Sequence, residues 1–334
     1  MILITGATGL VGAHLLFKLT EDTDSIAAFY RREEGKVTVY QFFAKNDPQH
    51  PNRYNRILWH QGTLNDLTRL EQAFENVTQV AHCAAFVSLF HHHAKKLQKV
   101  NVEGTANVVN LALQKGVKKL IHISSIAALG SPVKESRVDE TVSWDFNAEH
   151  TPYAQSKFGA EMEVWRGIEE GLPAVILNPG VILSTSFWER SSGVIIDRIA
   201  RGLSFYPTGK LALVSVEDVV QACLIGLKTA TLDQNRFILV AQNLSYREFI
   251  NRIAQGISVP ASRYALRKSW LSVALGLEWL FQVVGRKRQL SKGLIDTLCS
   301  KLEYDGTKIE NTTSSFQYES TSEVLDRIIK TATS

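Results

Sequence analysis

The chain has 334 residues, of which 45% are hydrophobic and 21% are charged, and its formal net charge is +4. This composition is ordinary for a soluble globular protein of one or two domains, and the small positive charge gives no reason to expect a nucleic-acid partner. Three distant cysteines, Cys83, Cys223 and Cys299, indicate buried thiols in a reducing compartment rather than disulfides. The first predicted strand starts almost at Met1, which leaves no room for a targeting segment and predicts a cytoplasmic protein.

Strand-like and helix-like stretches alternate from the N-terminus, which predicts a doubly wound parallel sheet with crossover helices. The predicted strands are Ile2–Thr5, Ser25–Tyr30, Ile57–Trp59, Gln79–Cys83, Lys119–Ser124 and Ala174–Asn178. The predicted helices between them are His14–Thr20, Leu67–Phe74, Val102–Gln114 and Tyr153–Glu170. Residues 36–56 fit neither pattern, because they are polar and contain two prolines, and a loop is expected there.

The pattern loosens after residue 179. Helices are predicted at Gly193–Arg201 and Ser215–Thr229, a strand at Phe237–Val240, and further helices from Leu244 onward. No internal repeat or low-complexity tract is visible. This half of the chain therefore predicts additional structure of mixed type beside the main sheet.

The first twelve residues, MILITGATGLVG, join an apolar strand to a helix through a glycine-rich turn. Gly6 suits the tight turn, Gly9 removes a side chain that would block phosphates, and Gly12 allows close packing of the helix. The helix N-terminus meets the charge of a dinucleotide pyrophosphate with free N–H groups. The alternative is a tight turn with no ligand. The expected contacts are Gly6, Thr8, Gly9, Leu10, Val11 and Gly12.

A second group of residues indicates catalysis. A buried strand ends in the hydroxyls of Ser124 and Ser125, and a helix opened by Thr151-Pro152 places Tyr153 and Lys157 on one face. A tyrosine with a pKa of about 10 is a poor base at neutral pH. A nearby ammonium, helped by the positive nicotinamide ring, is expected to favour the phenolate. Lowering that pKa by about two units requires about 2.7 kcal/mol, which one close, partly desolvated charge supplies. Tyr153 is then expected to exchange a proton with a substrate oxygen.

These motifs resemble the extended short-chain dehydrogenase/reductases, also called the NAD-dependent epimerase/dehydratase family. The glycine motif, the Ser-Ser-Ile-Ala-Ala-Leu-Gly stretch and Tyr153-x-x-x-Lys157 occur in the family's order and spacing. The general pattern is most similar to the branch with dihydroflavonol reductases and 3β-hydroxysteroid dehydrogenases. The resemblance implies a Rossmann domain at 1–178 with part of 211–240, and a smaller α/β substrate domain at 179–210 and 241–334.

The resemblance also implies roles for single residues. The family's catalytic serine falls on Ser125, with Ser124 as second choice, while Asn101 has a structural role and supports a proton-relay water. The segment His82-Cys-Ala-Ala85 resembles the strand that backs the cofactor, and Leu177-Asn-Pro-Gly180 resembles the segment beside the nicotinamide. Further cofactor contacts are therefore expected at Ala84, Ala85, Tyr153, Lys157, Pro179, Gly180 and Val181.

The end of the second strand favours NADP, with NAD as second choice. Arg31 and Arg32 stand where an acidic residue would select NAD, and guanidinium groups suit a 2′-phosphate. The alternative is that the two arginines are ordinary solvated surface residues, whose charge the two glutamates that follow would neutralise. Thr63 and Leu64 occupy the family's adenine-side position without its usual Asp, and Asp66 is expected to cap a helix.

Several histidines and aromatic residues have competing interpretations. Three consecutive histidines, His91–His93, cannot all face one ion, so no metal site is expected and a solvated loop is favoured. His122 is expected to be a core residue with its hydrogen bonds satisfied. A group of aromatic residues is either ordinary core or the wall of an apolar substrate pocket. Its members are Phe86, Phe90, Phe187, Trp188, Phe205 and Tyr206.

The segment 269–285 is strongly apolar, and its flanks are basic. It is shorter than the roughly 20 residues of a spanning helix. A helix closing over the substrate domain is expected first. A weak membrane-surface contact through residues 269–288 and a homodimer contact are the alternatives.

The sequence as a whole predicts an NADP-dependent oxidoreductase. It would interconvert a hydroxyl and a ketone on a medium-sized, partly apolar or cyclic small molecule, with Ser-Tyr-Lys catalysis. The main alternative is a nucleotide-sugar epimerase or dehydratase with tightly bound NAD. A third hypothesis is a cofactor-sensing protein without catalysis, which would have no need of a tuned phenol.

Overall fold

A computed structural model describes residues 1–23, 25–47, 50–132, 137–187, 192–233, 235–270 and 292–333. Its central element is a seven-stranded parallel sheet with the strand order β3-β2-β1-β4-β5-β7-β11. The strands are β1 (Ile2–Thr5), β2 (Ile26–Tyr30), β3 (Leu58–Gln61), β4 (Gln79–His82), β5 (Lys119–Ile123), β7 (Ala174–Pro179) and β11 (Asn235–Leu239). The strand order reverses direction between β1 and β4, and ligands bind at such a switch point in open α/β sheets.

Helices cover both faces of the sheet, which makes the fold a Rossmann-type α/β layer structure. On one face, α1 (Leu10–Asp22) packs against α9 (Val216–Lys228), and on the other α6 (Gly104–Gln114) packs against α7 (Pro152–Glu169). Alternate residues of a strand point to opposite faces of the sheet, so Ile4 belongs to one core cluster and Leu3 to the other. This burial on both faces explains why the strands read as continuous apolar runs.

The predicted strands and helices of the first 178 residues are present, within a few residues of their predicted ends. The short helix α4 (Leu67–Ala73) is among them, and α6 is preceded by α5 (Ala94–Leu97) and a π-helical stretch (Gln98–Glu103). The predicted helix at Ser215–Thr229 corresponds to α9, and the predicted strand at Phe237–Val240 overlaps β11. The doubly wound parallel sheet is confirmed.

The prediction of a loop over residues 36–56 is wrong. The segment forms most of α2 (Glu33–Asn46) and all of α3 (His50–Tyr54). Val39 and Phe43 lie four residues apart on α2, and both are fully buried. The Phe43 ring meets Phe17 of α1 edge to face at 5.1 Å. Two well-placed apolar residues thus outweigh the polar composition, since tertiary burial rather than propensity stabilises most helices.

The second half of the chain builds a smaller layer beside the main sheet. Here β10 (Lys210–Ser215) lies between β8 (Val181–Leu183), which is parallel to it, and β12 (Gln242–Ser245), which is antiparallel. Helices α8 (Ser192–Ala200) and α10 (Tyr246–Gly256) share a third core cluster with this sheet. The predicted division into two domains stays a prediction.

The remaining elements are short strand pairs and three helices near the C-terminus. One pair joins β9 (Phe205–Pro207) to β13 (Tyr264–Leu266), and another joins β6 (Arg137–Val138) to β14 (Glu303–Tyr304). The last helices are α11 (Lys292–Cys299), α12 (Thr307–Thr312) and α13 (Thr321–Thr333). Among the described helices, none is long and apolar enough to cross a membrane. The predictions for residues 271–288 lie outside the described residues.

Candidate active site

The glycine-rich turn after β1 has space for backbone only. Gly6 adopts a φ of +66°, and a Cβ atom there would lie 2.6 Å from the Cα atom of Ala84, just past the end of β4. A Cβ atom on Gly12 would lie 2.4 Å from the Gly6 carbonyl oxygen. Because only glycine tolerates both the left-handed conformation and the close contact, the turn can cross the end of β4 at the switch point of the sheet.

The N-terminus of α1 next to this turn suits an anionic group. Gly9 precedes the helix, no described side chain caps it, and the Gly9 N–H donates to the Gly6 carbonyl at 2.8 Å. The N–H groups of Leu10, Val11 and Gly12 belong to the first turn, where N–H groups have no partner within the helix. The missing side chain at Gly9 leaves room for an approaching group. The residues present therefore fit a dinucleotide pyrophosphate.

The end of β2 brings the predicted arginine pair close to this turn. Helix α2 starts there, and a Cβ atom on Gly35 would lie 2.8 Å from the Thr8 hydroxyl oxygen. Arg31–Arg32 is exposed and makes no ion pair with any other residue that the structure describes. The Glu33 carboxylate instead accepts a hydrogen bond from the Tyr30 hydroxyl. The Glu33 carboxylate is thus bonded to Tyr30, and both arginines are exposed to solvent.

The two residues predicted near the adenine lie in different environments. Thr63 is exposed, whereas Leu64 is buried and its carbonyl accepts a hydrogen bond from the Asn107 side chain at 2.9 Å. Asp66 accepts a hydrogen bond from the Arg69 N–H at 3.2 Å. The prediction that Asp66 caps a helix is confirmed, because this bond closes the first turn of α4.

Helix α7 starts as its sequence predicts. The Thr151 hydroxyl accepts a hydrogen bond from the Ala154 N–H at 3.1 Å, and Pro152 occupies the first turn. These two residues fix the register of the helix. Tyr153 is then partly exposed, while Lys157, one turn further, is buried.

Lys157 is held at the end of β5. Its side-chain nitrogen donates to the Ile123 carbonyl at 2.8 Å. Burial lowers the pKa of Lys157 to about 8, while interactions with Glu161 and Cys83 oppose that shift. A group with a pKa near 8 is mostly charged at pH 7. The site therefore contains a buried ammonium group.

The two candidate serines have separate partners. The buried Ser124 donates its hydroxyl hydrogen to Glu161 Oε2 at 2.8 Å. Ser125 is partly exposed, and its hydroxyl hydrogen-bonds the Tyr153 hydroxyl. Ser125 also accepts a hydrogen bond from the Ala127 N–H at 3.2 Å. The structure thus brings Ser125 together with Tyr153 and directs Ser124 away from it.

The pKa of Tyr153 moves in the direction opposite to the prediction. Burial raises the pKa of the phenol, and the hydrogen bond to Ser125 only partly opposes it. The Lys157 ammonium bonds to the Ile123 carbonyl and is not among the causes of this shift. The phenol is therefore protonated at neutral pH in the protein alone, and an additional positive charge is required to favour the phenolate.

Asn101 is buried inside the π-helical stretch and uses both polar atoms of its side chain. Its Oδ1 atom accepts from the Phe86 N–H at 2.7 Å, and its Nδ2 atom donates to the Phe86 carbonyl at 3.0 Å and to the Ser156 hydroxyl at 2.9 Å. Asn101 thus ties the segment after β4 to α7. This contact fixes the distance between the glycine-rich turn and the helix that carries Tyr153.

The comparison with known proteins agrees with this arrangement. The model of the NAD-dependent epimerase/dehydratase family matches residues 2–241. The chain belongs to this family. It is 27% identical over 314 residues to a putative dihydroflavonol 4-reductase from Synechocystis sp., covering 91% of this chain and 87% of that protein. It is also 27% identical over 320 residues to UDP-glucose 4-epimerase from Vibrio cholerae, covering 91% and 87%.

The comparison with solved structures shows the same fold. The crystal structure of gox2253 superposes with a TM-score of 0.81 and 26% identity, covering 99% of this chain and 97% of that chain. The resemblance noted from the motifs is thereby confirmed. A family that contains a reductase and an epimerase at equal similarity fixes the class of site but leaves the reaction open.

Other residues that the motifs of the epimerase/dehydratase family point to lie along the same edge of the sheet. Ala84–Ala85 directly follows β4 and contacts the glycine-rich turn. The segment 179–181 connects β7 to β8, and a Cβ atom on Gly180 would lie 2.3 Å from the Ala212 carbonyl oxygen. Their roles in cofactor binding stay predictions.

The three consecutive histidines form a single 3₁₀ turn beyond β4. His91 and His92 are exposed, and His93 shares a hydrogen bond with the Ser88 hydroxyl at 2.8 Å. The Lys96 ammonium lies 4.3 Å from the centre of the Phe86 ring. No group of three potential metal ligands occurs among the described residues. The segment 86–96 is thus a basic and aromatic surface beside the candidate site.

The prediction that His122 has its hydrogen bonds satisfied is wrong. His122 is buried in β5, and neither ring nitrogen has a partner among the described residues. Its ring stacks on His82 of β4 with centroids 5.2 Å apart. His82 does have partners, since its ring nitrogens contact the hydroxyls of Thr5 at 2.6 Å and Thr105 at 3.0 Å. Burial and the positive charge of Lys157 lower the pKa of both rings, so both are neutral.

The predicted aromatic group does not form one cluster. Phe86 and Phe90 contact the histidine turn, whereas Phe187 packs against His14 and Phe42 between α1 and α2. Phe205 pairs with Tyr264 on the β9–β13 sheet, Tyr206 lies beneath the Arg247 guanidinium, and Trp188 lies outside the described residues. Of this group, only Phe86 and Phe90 are placed beside the segment that Asn101 fixes.

The sequence interpretation overlooked one buried charged group. Glu161 follows Lys157 by one helical turn and is 2% exposed. Its carboxylate contacts Ser124, Asn178 and Arg236 from three strands or strand ends. The sequence does contain a signal for Glu161. It follows Lys157 by four residues and therefore lies on the same face of α7 as Tyr153 and Lys157.

Proposed function

We propose that this chain is an NADP-dependent oxidoreductase that interconverts a hydroxyl and a ketone on a medium-sized, partly apolar or cyclic substrate. The observation that carries the proposal is the contact between the Ser125 and Tyr153 hydroxyls, together with the buried ammonium of Lys157 one helical turn after Tyr153. A pure binding module has no need of this arrangement.

Each side chain has a defined task in this proposal. The Ser125 hydroxyl holds the substrate oxygen, and the Tyr153 hydroxyl delivers or removes the proton on that oxygen. Lys157 supplies a positive charge next to the ribose side of the dinucleotide, and Asn101 holds the two segments at a fixed separation. When bound, the nicotinamide dinucleotide supplies or accepts the hydride.

The raised pKa of Tyr153 is compatible with this scheme. In ketone reduction the phenol must carry its proton until the substrate oxygen takes it, and burial keeps it protonated. In the reverse direction the phenolate is needed, and the positive charge of an oxidised nicotinamide favours it. The reductive direction is therefore the one that the protein's own charges support.

Support for NADP comes from the exposed Arg31–Arg32 pair at the end of β2. Two guanidinium groups without an ion-pair partner among the described residues suit the doubly charged 2′-phosphate. The proposal of an apolar substrate is supported by Phe90, which is 42% exposed, and by Val87 and Leu89 in the same segment. Such exposed apolar residues beside a cleft are typical of ligand contacts.

The second candidate function is epimerisation of a nucleotide sugar with tightly bound NAD. The observation in its favour is the relative from Vibrio cholerae, a UDP-glucose 4-epimerase that is as similar to this chain as the putative reductase is. In that reaction the bound NAD takes a hydride from the sugar and returns it within one cycle, so no cofactor is consumed.

A binding and turnover experiment separates the two candidates. The purified protein is titrated with NADPH and with NADH by fluorescence, and then assayed with a panel of ketones, alcohols and nucleotide sugars. The proposal predicts tighter binding of NADPH and its stoichiometric oxidation with a ketone. Protein that is isolated with bound NAD and converts a nucleotide sugar without consuming added cofactor would instead establish the second candidate.

A further inference from the structure

We propose that Glu161 is a positioning residue whose carboxylate fixes the backbone at Ser124–Ser125 and balances the charge of the Lys157 ammonium. This inference rests on the proposed function. The role is distinct from proton transfer, because Glu161 is too deeply buried to touch a substrate.

The first argument is the hydrogen-bond pattern around the carboxylate. Its Oε2 atom accepts from Ser124 Oγ and from Asn178 Nδ2, both at 2.8 Å. Its Oε1 atom accepts from Arg236 Nη1 at 3.1 Å and from Trp165 Nε1 at 3.4 Å. A buried carboxylate with four donors is rigidly held, so it fixes the positions of its partners.

The second argument is the connection from this carboxylate to Ser125. The Nδ2 atom of Asn178 donates to Glu161 and also to the Ser125 carbonyl at 3.0 Å. Ser124, the preceding residue, is bonded to the same carboxylate. The Ser124 side chain and the Ser125 carbonyl are therefore tied to one anchor on α7, the first directly and the second through Asn178. Because Tyr153 lies on the same helix, the anchor fixes the spacing between the two hydroxyls.

The third argument is electrostatic. Three groups besides Glu161 interact with the Lys157 ammonium, namely His82 from β4, Cys83 after it and His122 from β5. Both histidines are neutral, and burial raises the pKa of Cys83 to about 12, so its thiol is uncharged at neutral pH. Among the described residues, Glu161 is therefore the one anion that stabilises the ammonium.

Arg236 on the far side of Glu161 explains why the carboxylate itself is stable in the core. Its guanidinium bonds to Glu161 and to the carbonyls of Glu140 and Val142. A buried carboxylate between an arginine and a lysine has its desolvation cost offset by two positive charges. Removing the carboxylate takes away a charge that favours the protonated form of Lys157, which predicts a pH effect that loss of a hydrogen bond alone would not cause.

The test is the pH dependence of Glu161→Gln, with Ser124→Ala as matched control. The Gln side chain keeps the shape and loses the charge, whereas Ser124→Ala removes one hydrogen bond to the same carboxylate and leaves the charge in place. Without Glu161, Lys157 loses its proton at lower pH. We expect the alkaline limb of kcat to move down by about one pH unit in Glu161→Gln and to stay in place in Ser124→Ala.

A second readout needs no dinucleotide and no turnover. A double-mutant cycle of Glu161→Gln and Lys157→Met, measured by chemical unfolding, reports the coupling between the two side chains. We expect coupling at pH 7 and its loss at pH 9.5, above the pKa of Lys157, because only the ammonium interacts with the carboxylate. If Glu161→Gln does not fold, Glu161→Asp is used in its place and is expected to keep the wild-type alkaline limb.

The outcomes separate this inference from the proposed function. The role of Glu161 is overturned if the wild-type protein is active and the alkaline limb stays in place in Glu161→Gln or moves in Glu161→Asp. It is also overturned if the double-mutant cycle shows no coupling at pH 7. These outcomes leave the proposed function intact. A wild-type protein that binds no nicotinamide dinucleotide refutes the proposed function, and the unfolding cycle still decides the charge-balancing claim.

Discussion

The cofactor side and the substrate side of the candidate site differ in how completely their polar groups are bonded. On the cofactor side, Asn101 and Glu161 are buried, and each side-chain oxygen or nitrogen has a partner. On the substrate side, the segment from Phe86 to Lys96 is largely exposed and makes few hydrogen bonds. The proposed function therefore assigns the chemistry to the rigid part and substrate choice to the exposed part.

His122 and the Oδ1 atom of Asn178 are exceptions to this contrast. His122 lies in the middle of the rigid part, yet its ring nitrogens have no hydrogen-bond partner among the described residues. Its neighbour His82 shows the opposite behaviour, with a hydroxyl at each nitrogen. Two stacked rings of the same type thus allow the cost of a missing hydrogen bond to be measured within a single environment.

The largest expected effect concerns the glycine-rich turn. Gly6→Ala places a methyl group 2.6 Å from the Ala84 backbone at a φ of +66°. We expect a loss of about 2–4 kcal/mol in unfolding free energy and loss of dinucleotide binding. Calorimetry and fluorescence titration measure the two effects.

Gly116→Ala is the matched control, because Gly116 has a φ of +65° and no atom within 4 Å of an added Cβ. It is expected to cost about 1–2 kcal/mol through its backbone conformation alone and to leave binding unchanged. Equal costs in the two variants would show that the close contact at the end of β4 does not constrain the turn.

The second prediction concerns the stacked histidines. His82→Leu removes two hydrogen bonds and is expected to cost roughly 1–3 kcal/mol, whereas His122→Leu removes none and is expected to change stability by less than about 1 kcal/mol. Urea unfolding at pH 8 measures both changes. If His122→Leu is as destabilising as His82→Leu, the unpaired nitrogens have partners in solution.

The same variants predict a pH effect. The pKa of His82 is lowered from 6.5 to about 3, and that of His122 is also well below 6.5. Between pH 6.5 and about 3 the unfolded rings bind protons that the folded rings do not, so stability falls as the pH falls through this window. His122→Leu is therefore expected to make the acid limb of the melting temperature less steep, and an unchanged limb would contradict the assignment.

The smallest expected effect concerns cofactor preference. Replacing both Arg31 and Arg32 with Gln should weaken NADPH binding about tenfold, through loss of charge-assisted hydrogen bonds, and leave NADH binding unchanged. The control is Arg201→Gln, which removes an exposed charge on a different part of the chain. Equal weakening of both dinucleotides would show that the pair acts as a general positive surface.

The sequence predicted the catalytic and glycine-rich motifs well, because each needs particular residues at fixed spacing beside a strand. Gly6 and Tyr153 are such residues, and the structure places their segments along the same edge of the sheet. It failed for residues 36–56, since the burial of Val39 and Phe43 depends on Phe17, which comes from another helix. A local pattern cannot show which partner a side chain meets.

Hydrogen-bond satisfaction and charge were harder still to predict. The lack of partners for His122, the raised pKa of Tyr153 and the separation of Phe187 from Phe86 all depend on which atoms approach from other elements. For the phenol, the sequence predicts a lower pKa from the charges of Lys157 and of a nicotinamide ring, whereas burial sets the direction of the shift in the protein alone.

The most direct test of the account is Tyr153→Phe, which removes one hydroxyl from the partly exposed end of α7. With a ketone that the wild-type protein reduces, we expect turnover to fall about 100- to 10,000-fold, the usual contribution of a general acid. The dissociation constant for NADPH, measured on the same sample, is expected to stay within about twofold. Undiminished turnover in this variant would contradict the assignment of Tyr153 as the proton donor and the account built on it.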